Sequence, residues 1–558
     1  SLTFDRVVRQ DVGGTNDTGV SAGGTVSFSY EPLNSGAEPW NPDLKRRRSI
    51  VTDPNGNVSE HDMNANGHEL TEVLRTRGLR ADDPESFRTE RRFDADGLLQ
   101  QVDFAGGGSV IFTYDDAGED RYRAGNLLEI RHVADPARGD GHGGDQPDLV
   151  TTYAYEPLYN QLRSRTEPRG NEPSYVPQNG GEWSAERYTT TWSYDYQEGD
   201  PDLNGVSDYA AEWGIGLGTA ELGLGDLNGD GRTDLALGVP VRRTAPSVRL
   251  DPSGRQAGVE GDDLQEIVTT WTHNGFGQVV SVTDPTGVTT TYGYHPETDP
   301  DGDETPTSGP LDGRELDSST GGYRASTTDA AGGRAEYLYD PRGNLTDFVD
   351  PRGVRHVFVH NALDQVVEER AAAATSDGSG PSGDPATGYG ESGLAPLGYR
   401  TLYLYDENDN LVELREEDRD DSRGLGGWLE TAYAYDVLDR VVSTSREPRT
   451  GTTLTTERRY DANGNTTRVT APGGNETQAR YDERDRLLEL TRGAAGPFGG
   501  NPATTSYTYD SNGNLTRVVD PAGEEITFEY DGVERLVRRI DRIGGVDELV
   551  YDPASNVV

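Results

Sequence analysis

Asp226, Asn228, Asp230 and Asp234 occupy positions 1, 3, 5 and 9 of the segment beginning at Asp226 in LGDLNGDGRTDLALG, with Gly231 at the sharp turn. Oxygen ligands at that spacing converge on one hard cation, and the backbone carbonyl of Arg232 supplies a further ligand, so the expected chemistry is binding of Ca2+. Position 12 is Leu237 rather than a bidentate Glu, which argues against an EF-hand with two flanking helices. Upstream, Asp200, Asp202, Asn204 and Asp208 repeat the spacing around Gly205. Together the two loops define a calcium-loop insertion over 197–250, in which the ion would order repelling carboxylates rather than catalyse. The plain alternative is an acidic, glycine-rich turn without metal. Asp299, Asp301 and Asp303 show only the first half of the pattern and read as a solvated loop.

Other chemistry finds little support. The chain has no Cys and one Met, Met63, which excludes disulfides, thiol nucleophiles and Cys metal sites. HExxH, GxSxG and P-loop motifs are missing. His356 and His360 would share one face of a strand, in a framework role. Carboxylates are too numerous for any pair to be singled out as acid and base. Formal charge is −47 with a pI near 4.4, which opposes extended contact with nucleic acid or anionic lipid. The run Lys45-Arg46-Arg47-Arg48 therefore reads as a salt-bridged surface. No stretch approaches the length of a membrane helix, so no membrane insertion is expected in this segment. Arg dominance, with Lys45 the sole lysine, suggests a GC-rich or salt-adapted bacterial or archaeal source.

These residues must be carried by many short strands: 71 Gly and 31 Pro accompany only 32% hydrophobic residues, a balance of turns over core. Aromatic-Asp pairs, or their equivalents, recur at Phe93, Tyr114, His273, Tyr294, Tyr339, His360, Tyr460, Tyr481, Tyr509, Tyr530 and Tyr551, and several neighbours, such as Tyr509 and Tyr530, stand 21 residues apart. A fixed period means a repeated supersecondary unit. In YDSNGNLTRVVDPAGEEITFEYD, Asn512-Gly513 signals a type I′ hairpin turn, and Asp520-Pro521-Ala522-Gly523 a second turn with a left-handed Gly. Ile526, Phe528 and Tyr530 alternate onto one face of the following strand. Each repeat is thus two strands, and neighbouring repeats should stack their tyrosines as cross-strand ring pairs. The expected fold is all-β, a long sheet of repeated antiparallel hairpins over 1–196 and 251–558, with Gly/Ser/Pro-rich loops near 296–322 and 371–398.

The segments YDANGNTTRVTAPGGNETQARYDERDRLLEL and YDSNGNLTRVVDPAGEEITFEYDGVERLVRRI resemble the YD repeats of Rhs and wall-associated proteins, insecticidal toxin-complex shells and teneurins. The acidic loops resemble those of FG-GAP repeats and dockerins. The YD resemblance implies a sheet ribbon spiralling into a hollow shell or barrel, secreted or at the cell surface. Bacterial members commonly enclose a C-terminal toxin, whereas teneurin-like members mediate adhesion. YDPASNVV stops partway through the motif, so the rest of a longer polypeptide is an expected partner, and no self-cleavage residue can be carried over.

Two non-enzymatic readings result: a shell wall enclosing a toxin domain, or a calcium-stiffened scaffold touching other cells, glycans or copies of itself. A third, carbohydrate processing or binding through exposed Trp and Tyr, with Trp183, Trp192, Trp213, Trp271 and Trp428 as candidates, is weaker, because scattered tryptophans usually pack.

Overall fold

In the computed structural model, the described residues are 6–558 except 16–20, 35–40, 78–83, 117–122, 136, 138–146, 157–159, 173–183, 195–238, 249–264, 275, 297–321, 372–398, 419–426, 462, 483, 496–500, 511, 532, 552–554, 556 and 558. They form 34 strands, β1 (Arg9–Thr15) to β34 (Val546–Glu548), and two short 3-10 turns, Pro168–Asn171 and Ala185–Tyr188. Consecutive strands pair antiparallel along the whole chain, as in β31 (Leu515–Val519) with β32 (Glu525–Tyr530), and β32 with β33 (Leu536–Ile540). The result is one continuous meander, as the repeat period requires.

The sheet also takes up part of the segment expected as an insertion. β13 (Pro240–Val248) pairs with β12 (Thr189–Tyr194) on one side and with β14 (Gln265–His273) on the other. The described part of the expected 197–250 thus belongs to the sheet from Pro240 to Val248.

The ribbon closes back on itself. β3 (Arg47–Thr52) turns into β4 (Val58–Met63) through Asp53, whose Oδ2 accepts a hydrogen bond from Asn463 Nδ2 at 2.8 Å. Asn463 lies in the turn between β26 (Thr452–Tyr460) and β27 (Thr466–Thr470). The turn between β7 (Leu99–Asp103) and β8 (Ser109–Tyr114) meets the turn between β30 (Ala503–Tyr509) and β31 in the same way, with Gly106 N donating to Asn512 Oδ1 at 2.6 Å. Each contact joins turns 23 strands apart, from β3 to β26 and from β7 to β30. One partner is always an odd-to-even turn and the other an even-to-odd turn, so opposite edges of the ribbon meet. At ~4.8 Å per strand, one wrap is about 110 Å around and about 35 Å across. The sheet is therefore a spiral of roughly one and a half turns.

Its interior is thin and partly polar. Buried apolar side chains include Leu70, Val73, Phe87, Leu429, Leu488 and Val537, but Asp62, Asp482 and Asp531 are buried as deeply. A ribbon one sheet thick cannot bury large side chains on both faces, so its order depends on how the turns are tied together.

Candidate functional site

The feature that makes neighbouring repeats one object is the row of turns along the ribbon edge. In each, the first residue is Asp or a substitute for it. Asp482 illustrates the geometry: its N–H donates to Arg486 O at 2.9 Å, and its Oδ1 accepts from Arg484 N at 2.9 Å and Arg486 N at 2.8 Å. Asp340, Asp406, Asp461, Asp510 and Asp531 do the same, and Asn64, Asn274 and Asn361 replace Asp with an amide oxygen. A short side-chain acceptor that satisfies two N–H groups of its own turn is the reason Asp and Asn suit this position.

The turns differ from the two-residue type I′ hairpin expected at Asn512-Gly513. Gly513 has φ +98°, but Asn512 is not left-handed, and the pairing shifts register between Thr508 and Tyr509. This is a three-residue loop with a bulge, which needs only one left-handed residue. Gly464 and Gly513 fill that position in some repeats, whereas Asp409, Asp439, Asp485 and Glu534 fill it with φ between 56° and 69° in others.

Those left-handed acids have a use. The fifth residue of each turn reaches the next turn along the edge. Asn344 Nδ2 donates to Asp364 at 2.8 Å, Gln365 Nε2 to Asp409 at 3.1 Å, and Asn410 Nδ2 to Asp439 at 2.7 Å. Arg440 donates to Asp461 O at 3.2 Å, Asn465 to Asp485 at 2.7 Å, and Arg486 to Asp510 O at 3.2 Å. Asn514 continues to Glu534, and Arg535 to Ser555. The three arginines also pair within their own turns with Asp436, Asp482 and Asp531, whose side chains are 1%, 0% and 0% exposed.

The repeat tyrosines complete the link, though not by ring-to-ring stacking. Except at Tyr339, the hydroxyl donates to the carbonyl of the residue paired with the preceding repeat's tyrosine or its equivalent. Tyr530 reaches Leu515, Tyr509 reaches Leu487, Tyr481 reaches Thr466, Tyr460 reaches Val441 and Tyr551 reaches Leu536, all at 2.7–3.0 Å. Tyr114 and Tyr294 reach Leu99 and Val279. Arg440, Arg486 and Arg535 lie 4.6, 4.9 and 4.9 Å over the rings of Tyr460, Tyr509 and Tyr551. Tyr339 packs on Tyr323 at 5.0 Å. Burial raises the hydroxyl pKa of Tyr114, Tyr339, Tyr481 and Tyr530, which keeps these donors protonated.

Tyr155, Tyr194, Tyr405 and Tyr435 make the same hydroxyl bond, to Leu127, Leu162, Val366 and Leu411. Alignment on the 21-residue interval omits them because loops lengthen their spacing. The acidic residue that follows each of them is the signal that would have found them.

Elsewhere the structure places the remaining candidates. Lys45 and Arg48 are salt-bridged as expected, but their partner Asp62 is buried rather than at the surface: Lys45 Nζ lies 3.1 Å and Arg48 Nε 2.6 Å from its carboxylate. His356 stacks obliquely on Phe348 and meets Glu369 at 3.1 Å, a framework position. Arg400 covers Trp428 at 5.7 Å. His61, Glu69 and Glu72 bring one potential ligand atom each to within 4.8 Å of one another, the one such group of three among the described residues. Arg91 donates to both carboxylates, at 2.9 and 3.1 Å, so a cation of the protein's own already serves them. The calcium-loop residues Asp200, Asp202, Asn204, Asp208, Asp226, Asn228, Asp230, Arg232 and Asp234 lie outside the described residues, as do Asp299, Asp301, Asp303, Trp183 and Trp213. Among the described residues no helix is long and apolar enough to cross a membrane.

Comparison with known proteins follows the same divisions. Residues 426–556 match the teneurin YD-shell family, 273–304 the RHS repeat and 219–247 the FG-GAP repeat. No curated protein matches the chain by sequence. A crystal structure of TcdB2-TccC3-TEV is similar over 96% of this chain at 13% identity and TM-score 0.50. A structure of the Photorhabdus luminescens Tc holotoxin pore is 11% identical over 96% of this chain, with TM-score 0.48. In both cases this chain spans 26% of the other's length. The segments 426–556 and 273–304 are thus similar to YD-shell and RHS-repeat sequences, and the hairpin ladder carries the same tyrosine and turn contacts along the sheet on either side of them.

Proposed function

We propose that the chain is a non-enzymatic wall segment of a larger secreted or surface Rhs-type protein, and that the wall encloses a C-terminal toxin domain carried outside these residues. The observation that carries this reading is the seam. A ribbon whose opposite edges meet after 23 strands bounds a volume, whereas an extended adhesion scaffold has no need of such a contact. Buried Asp436, Asp482 and Asp531 organise their own turns, and buried Asp62 and Asp347 pair with arginines within the sheet. The test is protease protection of an unstructured passenger fused after Val558. A passenger that survives while the shell is intact, and is digested once the shell is unfolded, is the expected result. Equal digestion in both states would refute enclosure.

The insertion before β13 is read as a calcium module. The FG-GAP match covers Asp226 to Asp234, and oxygen ligands at that spacing suit Ca2+. Calorimetry with and without chelator tests this reading. Loss of a transition on chelation is expected, and an unchanged unfolding profile would overturn it.

A further inference from the structure

Two of the hydrogen-bonded contacts across the seam are made by the side chain of an Asn followed by Gly. Asn463 Nδ2 donates to Asp53 Oδ2 at 2.8 Å and, within its own wrap, to Asp485 Oδ1 at 3.0 Å. Asn512 accepts from Gly106 N at 2.6 Å, donates to Gly107 O at 3.4 Å and to Glu534 Oε1 at 2.5 Å. Gly464 and Gly513 both have φ +98°. Asn-Gly is also the dipeptide whose asparagine converts to an acid most readily, because glycine places no side chain in the path of its own backbone nitrogen.

We propose that Asn463 and Asn512 are deamidation sites that form a one-way latch: the closed seam protects them, and conversion after opening prevents the seam from closing again. In the reaction the nitrogen of Gly464 attacks Cγ of Asn463, a C–N bond forms, and the side-chain nitrogen leaves as ammonia, taking the proton given up by glycine. Water then opens the resulting succinimide to Asp or isoaspartate. No electrons are transferred, and water is the sole co-reactant. Attack requires the Asn side chain to fold back over the following nitrogen, whereas the seam holds the amide outward against Asp53 and Asp485.

The consequence is electrostatic. A carboxylate at 463 loses the donor that joined two carboxylates and faces both as a like charge. A carboxylate at 512 loses its donor to Glu534 and Gly107 O. Either change opposes reclosure.

The chain contains its own control. Asn66-Gly67 holds the same place in a turn of the same type, opened by Asn64, with Gly67 at φ +90° and its N–H on Asn64 O at 3.3 Å, as Gly464 N–H is on Asp461 O at 3.2 Å. Asn66 is exposed and lies away from the seam contacts. The experiment ages the folded chain at mildly alkaline pH and follows each site by peptide mass mapping, in buffer and in denaturant. Conversion at 463 and 512 should be roughly tenfold or more slower than at 66 when folded, because it must wait for local opening, and all three should convert alike in denaturant. Equal folded rates at the three sites would overturn the proposal. Hydrogen exchange on the aged protein is the second reading. Turns 53–57 and 104–108 should lose protection in step with conversion at 463 and 512, and retained protection after conversion would overturn the latch.

Discussion

Replacing Asp482 by Ala isolates what the buried turn acid does. Its carboxylate is fully buried; it accepts two backbone N–H groups and holds Arg486 Nε at 2.9 Å, and Arg486 is only 14% exposed. Arg486 in turn donates to Asp510 O and lies over Tyr509 and Phe87. Removing the acid leaves a guanidinium enclosed without its counter-charge, which costs about 3–5 kcal/mol. Asp510→Ala provides the comparison. Asp510 accepts the equivalent backbone bonds and, where Asp482 holds the Arg486 guanidinium, an amide from Asn514, so its loss should cost about 1.5–3 kcal/mol, the scale of hydrogen bonds to a charged group. Because stability in a repeat array is a sum of local and nearest-neighbour terms, the assay is hydrogen exchange resolved by peptide. In D482A, protection should fall at β28 (Glu476–Tyr481), β29 (Leu487–Arg492) and β30, and much less near β14. Equal losses for D482A and D510A, or a loss below about 1 kcal/mol for D482A, would refute the claim that the arginine-containing turns are the strong links.

Three other outcomes are expected. Tyr530→Phe removes one hydroxyl bond to Leu515 O and should cost about 1 kcal/mol in local exchange free energy while leaving the sheet intact. The hydrogen bond to Glu69 raises the His61 pKa, and the bond to His61 lowers that of Glu69. Stability from His61 is therefore full below its ordinary pKa and falls as pH rises through the raised value, whereas that from Glu69 is lost as pH falls through its lowered value; His61→Gln should abolish the loss on the alkaline side in a pH series of melts. Burial first, then Glu369, pushes the Tyr403 hydroxyl up to about 12. With burial also raising the repeat tyrosines, ultraviolet titration should show phenolate forming above the usual range, and stability contributed by these tyrosines should begin to fall only as pH passes their ordinary value.

Much of the fold was legible because its punctuation is local. Asp520-Pro521-Ala522-Gly523 turns as its residues require, with Gly523 at φ +83°, and Tyr530 ends a strand on the expected face. The roles of particular atoms were less legible. Alternation assigns Tyr530 to a face but does not say whether its ring or its hydroxyl makes the link. Asn-Gly suggested a type I′ turn because the Asp510 carboxylate, which organises the longer loop, leaves no mark in the dipeptide itself. The ladder was written in the sequence as a donor at the fifth turn position followed one turn later by an acid, as with Asn465 and Asp485, but the variable loops hide its period. The seam had no local signal. Gly106 and Asn512 meet only after 23 strands of accumulated twist, and a Cβ at 106 would come within 2.6 Å of Asn512 Cγ, so a side chain there is compatible with the seam only if the Asn512 amide gives way.

That close approach provides the most direct test of a closed spiral. The chain has no cysteine, so the pair G106C and N512C can be oxidised without competing thiols; the N512C replacement removes the Cγ that a Cβ at 106 would meet, and a disulfide requires Cβ atoms about 3.5–4.5 Å apart. The account predicts rapid disulfide formation within single folded chains, lost when the protein is unfolded before oxidation, and no bond in the mismatched pair G106C and N463C. Failure of the 106–512 pair to cross-link in the folded chain, or linkage only between chains, would contradict closure of the ribbon.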